Sequence, residues 1–258
     1  MEAGINLFTL RQAIKTEEEF LATANRLREM GYSYMQFSGA PFDADMIKRV
    51  SDASGLPVVL THVPMERIIE DTDALMEEHA RFGCKNIGLG MMPKRVIADE
   101  SACKAKIDEL ERAGERMAEC GFKFFYHHHN FEFYKHNGET VFDYILKNTK
   151  HINFTADTYW LQYGGVDVCE YLKKLSGRCE CVHLKDYRQK FVIKDDGKPD
   201  FVPEFAPVGD GTVNFKSAVA AAKESGAKYF LVEQDNAPSF ENPFAEVERS
   251  IKYIREVL

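Results

Sequence analysis

Long apolar runs are missing from this 258-residue sequence. None approaches the roughly 18 residues of a membrane span, so no membrane partner is expected. The opening stretch MEAGINLFTLRQAIKTEEEF lacks the basic segment and apolar stretch of a signal peptide, which points to the cytoplasm. Clusters of Lys and Arg are missing too. With a formal charge of −8 and acidic residues spread along the chain, nucleic acid is excluded as the expected partner, because it requires a basic surface. A small soluble molecule fits better, and a homo-oligomer is compatible with the sequence. Six cysteines are present, Cys84, Cys103, Cys120, Cys169, Cys179 and Cys181, but no CxxC spacing. Cys179-Glu-Cys181 suits neither a zinc site nor a redox pair, so reduced, mostly buried thiols are expected. Internal repeats, low-complexity tracts and linkers are also absent. At this length the expectation is one domain spanning 1–258.

What the sequence does contain is an alternation of short β-rich runs with longer amphipathic stretches, the pattern of repeated βα units. The candidate strands are GINLFTL (4–10), YSYMQFS (32–38), PVVLTHV (57–63), NIGLGM (86–91), KFFYHHH (123–129), INFTAD (152–157), ECVHLKD (180–186) and YFLVEQD (229–235). Among the helices between them, TEEEFLATANRLREMG has Thr16 to cap its first turn, three glutamates at its positive end and Gly31 to stop it. ESACKAKIDELERAGERMAECG is the longest candidate. Eight strands, each followed by a helix, predict an α/β fold of the closed (β/α)8 kind, although count alone also allows an open doubly wound sheet. The connection from Tyr187 to about Val213 exceeds the usual loop length and predicts a hairpin or lid.

Catalytic sites in such barrels lie at the carboxyl ends of the strands. Here those ends carry His62 on the third strand, the cluster His127, His128 and His129 with Glu132 beyond it on the fifth, and Asp157 on the sixth. His183 and Lys185 close the seventh, and Glu233 the eighth. Imidazoles and carboxylates without thiolates suit one divalent ion such as Mn²⁺, Mg²⁺, Co²⁺ or Zn²⁺. Because side chains alternate along a strand, His127 and His129 share the face of Phe125, whereas His128 shares the other with Phe124 and Tyr126. His128 is therefore expected to be structural. His62 is a candidate substrate contact, with a simple hydrogen-bonded histidine as the competing reading. Trp160, the only tryptophan, can wall a sugar face or pack beneath a loop. VGDGTVNF precedes a helix, but its glycine spacing matches no phosphate-binding loop, so a turn is expected.

Taken together, GINLFTLR, YHHHNFEF, DTYWLQYGGVD, VHLKDY, PVGDGTVNF and LVEQD resemble the sugar phosphate isomerase/epimerase family of xylose-isomerase-like TIM barrels over nearly the whole chain. The resemblance implies one divalent metal held by a Glu, Asp, His and Glu set. It puts Asp157, His183 and Glu233 in three of those places. The fourth is where the chain departs from the family: a glutamate is usual at the end of strand five, and His127 stands there instead. Glu132 is the expected substitute, with His127 as the alternative ligand or a substrate contact. The implied chemistry is isomerisation or epimerisation of a keto-sugar or related polyol derivative through a metal-stabilised enediolate. His129, Glu132 and Glu233 are the candidate proton carriers and Lys185 an electrostatic partner. A lyase or dehydratase acting on inososes or 3-keto-glycosides, and a sugar-binding barrel without catalysis, are the alternatives. A DNA-repair endonuclease of the same barrel type is disfavoured by the acidic charge.

Overall fold

A computed structural model of the chain describes residues 1–258. Eight parallel strands follow one another around a closed barrel: Gly4–Asn6, Tyr34–Phe37, Val58–Val63, Asn86–Leu89, Lys123–His127, Ile152–Asp157, Cys181–Leu184 and Tyr229–Val232. Each pairs with its neighbours in sequence, and the first closes on the eighth through Gly4 with Leu231 and Ile5 with Val232. That closure removes the open-sheet alternative. The fold is the (β/α)8 TIM barrel that the strand count predicted.

Local chemistry explains where the elements begin and end. Thr16 and Glu19 form a reciprocal capping box at the start of helix Glu17–Met30, and Gly31, at φ 99°, ends it in the left-handed conformation. The longest helix, Glu100–Glu119, is capped by the Asp99 carboxylate on Ala102 N. The first strand is shorter than its apolar run. Asn6 accepts a hydrogen bond from Phe8 N and turns the chain into a 3-10 segment at Leu7–Ala13. The fifth stops at His127, leaving His128 and His129 outside the ladder.

Two shells of apolar side chains fill the barrel. The outer one lies between strands and helices and includes Phe124, Tyr126 and Phe154. The inner one is a plug of Tyr34, Leu60, Phe125, Cys181 and Leu231. Each plug residue is followed two positions later by a polar one: Gln36, His62, His127, His183 and Glu233. The period of two along a strand thus stacks a polar layer directly above an apolar floor.

The long connection after the seventh strand is an antiparallel hairpin, Asp186–Ile193 with Pro199–Ala206. Its base is tied down by Asp186, whose buried carboxylate accepts from the backbone N–H groups of Tyr187, Gly209, Gly211 and Val213. The glycine turn is therefore an anion cradle already filled by the protein's own carboxylate. A Cβ at Gly211 would sit 2.3 Å from Asp186 Oδ1, so only glycine lets the turn approach. Replacing Asp186 by Ala takes the acceptor from four backbone donors, of which the Val213 N–H is buried and the others are partly buried. Asp186→Ala is expected to lose about 3 kcal/mol or more of stability, read from urea unfolding; a loss below about 1 kcal/mol would show that water satisfies the turn.

Candidate metal centre

Four ligand-type atoms meet at the mouth of the barrel. His127 Nε2, Asp157 Oδ2, His183 Nδ1 and Glu233 Oε2 come from four different strands and lie within 4.8 Å of one another. All four residues are buried, and all four of these atoms lack a hydrogen-bond partner. Asp157 Oδ2 is 3.5 Å from His127 Nε2 and 3.7 Å from His183 Nδ1. His183 Nδ1 approaches Glu233 Oε2 to 2.5 Å, yet the pair is out of alignment for a hydrogen bond. Buried polar groups are nearly always satisfied. Four that are not, converging on one point, form a donor set that fits a divalent ion, with nitrogen and oxygen ligands and no thiolate.

The surroundings fix how each side chain points. His127 donates from Nδ1 to the Gly90 carbonyl at 2.9 Å, which leaves Nε2 free. Asp157 divides its carboxylate: Oδ1 caps the helix Thr158–Tyr163 through Trp160 N at 2.9 Å, while Oδ2 faces the cluster. His183 Nε2 lies 2.7 Å from the side-chain carbonyl of Gln36, so that nitrogen donates and Nδ1 is the ring atom turned to the cluster. Such outer partners orient metal ligands and raise their basicity.

Charge is balanced by Lys185. Its buried ammonium donates to both oxygens of Asp235 at 2.8 Å and stands 3.9 Å from Asp157 Oδ2 and from Glu233 Oε2. Burial works to raise both cluster carboxyls, but Lys185 and the adjoining imidazoles outweigh it and hold Asp157 and Glu233 below their usual range. Burial would likewise lower His183; the Glu233 and Asp157 charges reverse this and lift it to about 9. Without an ion, the two carboxylates thus keep their charge by leaning on a protonated imidazole and an ammonium.

Above the cluster lies a cavity of about 730 Å³ whose lining includes His62, His127, His129, Lys185, Glu233 and Asp235. His129 stacks on Phe131 at 4.9 Å and lies 5.0 Å from Trp160, and its Nδ1 is unpaired. Burial, with the His127 and Lys185 charges beside it, pushes the His129 imidazole down to about 2, so it is neutral. Trp160 and Phe205, from the base of the hairpin, take the Lys185 ammonium over their rings at 5.0 and 4.9 Å. His128 packs outward against Phe142, its Nε2 accepting from Asp157 N at 3.0 Å.

Glu132 is placed elsewhere than its expected ligand role would require. It is fully buried, but its two oxygens accept from Tyr126 Oη at 2.8 Å and His129 N at 2.7 Å, and it is not among the converging atoms. Tyr126 faces the outer shell, and Glu132 follows it there. The fourth converging atom belongs to His127, the alternative that the sequence also offered. Sequence reasoning passed over Gln36 and Asp235. The signal for both was the same period of two that exposed the ligands: Gln36 follows Tyr34, and Asp235 follows Glu233.

The family model of the xylose isomerase-like TIM barrel matches residues 24–257. Inosose dehydratase of Geobacillus thermodenitrificans is 28% identical over 245 residues, covering 84% of this chain and 82% of that protein. A sugar phosphate isomerase/epimerase from Parabacteroides distasonis shares the fold with a TM-score of 0.81 at 23% identity, covering 99% of this chain and 94% of that one. A xylose isomerase-like TIM barrel protein from Mycobacterium smegmatis, solved in complex with magnesium, gives 0.70 at 14% identity, over 98% of this chain and 95% of that one. At these identities the two structural likenesses establish the fold alone.

Two measurements follow from this geometry. Metal analysis of the purified protein is expected to give about one divalent ion per chain, lost in Asp157→Asn, Glu233→Gln and His127→Gln and kept in Glu132→Gln; loss in Glu132→Gln with retention in His127→Gln would reassign the fourth ligand. The second concerns pH. Burial pushes the Glu132 carboxyl up to about 7, against the lowering effect of its His129 and Tyr126 donors. A raised carboxyl holds its proton in the folded state when the unfolded chain has lost it. Its contribution is therefore complete below about pH 4.5 and fades as pH rises through 7. Urea unfolding across this window is expected to show wild type losing on the order of 2–3 kcal/mol relative to Glu132→Gln. Parallel curves would place Glu132 in a wetter setting.

Proposed function

The chain belongs to the xylose isomerase-like TIM barrel family, and from that premise we propose that it is a divalent-metal-dependent enzyme that removes a proton beside the carbonyl of a polyhydroxylated ketone and eliminates water. The observation that carries the reading is the set of four buried, unpaired ligand atoms beneath the cavity. His127, Asp157, His183 and Glu233 would hold the ion. When bound, it supplies a positive charge that polarises the ketone and acidifies the neighbouring C–H.

The remaining residues supply position and proton traffic. A cavity of about 730 Å³ accommodates a six-carbon ring with its hydroxyls. Lys185, locked on Asp235 and held charged by the carboxylates around it, presents a hydrogen-bonding cation where negative charge collects on substrate oxygen. Trp160 and Phe205 form the apolar wall beside it. Proton transfer falls to His129 and Glu233, which line the cavity. They differ in kind, one a neutral imidazole with a free Nδ1 and the other a carboxylate beside Lys185. That asymmetry suits a reaction with unlike steps, in which one carbon loses a proton and the next loses its hydroxyl as water. The inosose dehydratase relative supports the same choice.

Isomerisation or epimerisation of a keto-sugar is the second reading. It shares the first proton removal, and His129 and Glu233 reach the cavity from strands separated by two others, as proton exchange from two sides requires. A panel of inososes and ketoses incubated in D₂O with Mn²⁺ or Mg²⁺ separates them. A product lighter by one water is the expected result, with kcat reduced about 100-fold or more in Lys185→Met. Deuterium incorporation without loss of water would establish the second reading. Neither outcome, with every ion, would leave a binding barrel without catalysis.

A further inference from the structure

Gln36 sits fully buried on the second strand, and its one amide touches two histidines. Its carbonyl oxygen is 2.7 Å from His183 Nε2, and its amide nitrogen is 2.9 Å from His62 Nε2. A carbonyl can only accept and an amide NH₂ can only donate, so the two contacts fix two protons. His183 must carry its proton on Nε2. His62 must accept at Nε2 and carry its proton on Nδ1.

The reverse orientation of the amide is incompatible with the cluster. It would aim a donor at His183 Nε2 and drive the imidazole proton to Nδ1, among the four converging atoms. The demand for a lone pair at His183 therefore selects the orientation of Gln36, and that orientation selects the state of His62. His62 lines the cavity, and Nδ1 has no hydrogen-bond partner in the protein. A Cβ at Gly90 would lie 3.0 Å from this nitrogen, so the bare fourth strand leaves the ring its room.

We propose that Gln36 is a positioning residue that ties the ligand state of His183 to the proton of His62, making His62 a fixed Nδ1–H donor to a hydroxyl or carbonyl oxygen of the polyol ketone. The inference rests on the metal-centre reading above. It separates His62 from the proton-moving groups: His62 recognises an oxygen and is not the base.

Long-range ¹H–¹⁵N spectra of the histidine-labelled, Mg²⁺-loaded protein, with His62→Gln to assign the signal, test this. Wild type is expected to show His62 protonated at Nδ1 and His183 at Nε2. In Gln36→Glu a carboxylate accepts from both rings. The ion is then retained at least as tightly as in wild type, the His62 proton moves to Nε2, and KM for the ketone rises about 10-fold. Gln36→Leu, which supports neither ring, is expected to weaken the ion 10- to 100-fold. His62 protonated at Nε2 in wild type overturns the proposal, whether or not the variants fold. If wild type takes up no ion, the metal-centre reading falls, while the His62 proton position in the ion-free protein still decides this inference.

Discussion

A parallel sheet closed on itself has one inward face, and every strand must fill that face with residues two apart. The floor of the barrel is dry because Tyr34, Leu60, Phe125, Cys181 and Leu231 meet there. The next inward position on the same strands carries Gln36, His62, His127, His183 and Glu233. The site is therefore neither a loop decoration nor a graft on the surface. It is the upper course of the same stack of side chains that closes the barrel, and its precision is borrowed from ladder pairing such as Asp157 opposite His183.

Burying two carboxylates side by side in such a stack is costly unless positive charge accompanies them. The compensation here is layered. Lys185 serves both Asp157 and Glu233 and is itself held by Asp235. The His183 imidazole completes the positive set, and the rings of His127 and His183 are turned by Gly90 and Gln36 from behind. Helix capping joins the same network, since one Asp157 oxygen starts the helix that carries Trp160. Electrostatics, secondary structure and the aromatic wall thus share single residues.

Much of this could be read from sequence because alternation along strands is a strong physical signal. Asp157, His183, Lys185 and Glu233 close apolar runs, and closing a run in a barrel means reaching the mouth. Placing Glu132 was harder. It lies in a 3-10 turn beyond its strand, where no period constrains direction, and its course is set by Tyr126, an outward-facing residue from earlier in the chain. Gln36 was silent for another reason. A neutral amide inside an apolar run is neither a ligand nor a titrating group, and its value appears only when two histidines from other strands close on it. The hairpin was visible as an overlong connection, but its anchorage on Asp186 depends on backbone N–H groups that no side-chain pattern announces.

Closure of the first strand on the eighth has a temporal side as well. Gly4 waits for Leu231, a partner separated by almost the whole chain, before the ring is complete. The same late strand brings Glu233 to the cluster. During synthesis, which runs from the N-terminus at a limited rate, the histidines at 127 and 183 and Asp157 are made while the ring is still open. Three of the four converging side chains on an unclosed sheet do not yet define a cage. The four-atom set is therefore complete only with the final turn of assembly, when the strand that leads to Glu233 has left the ribosome and closed the ring.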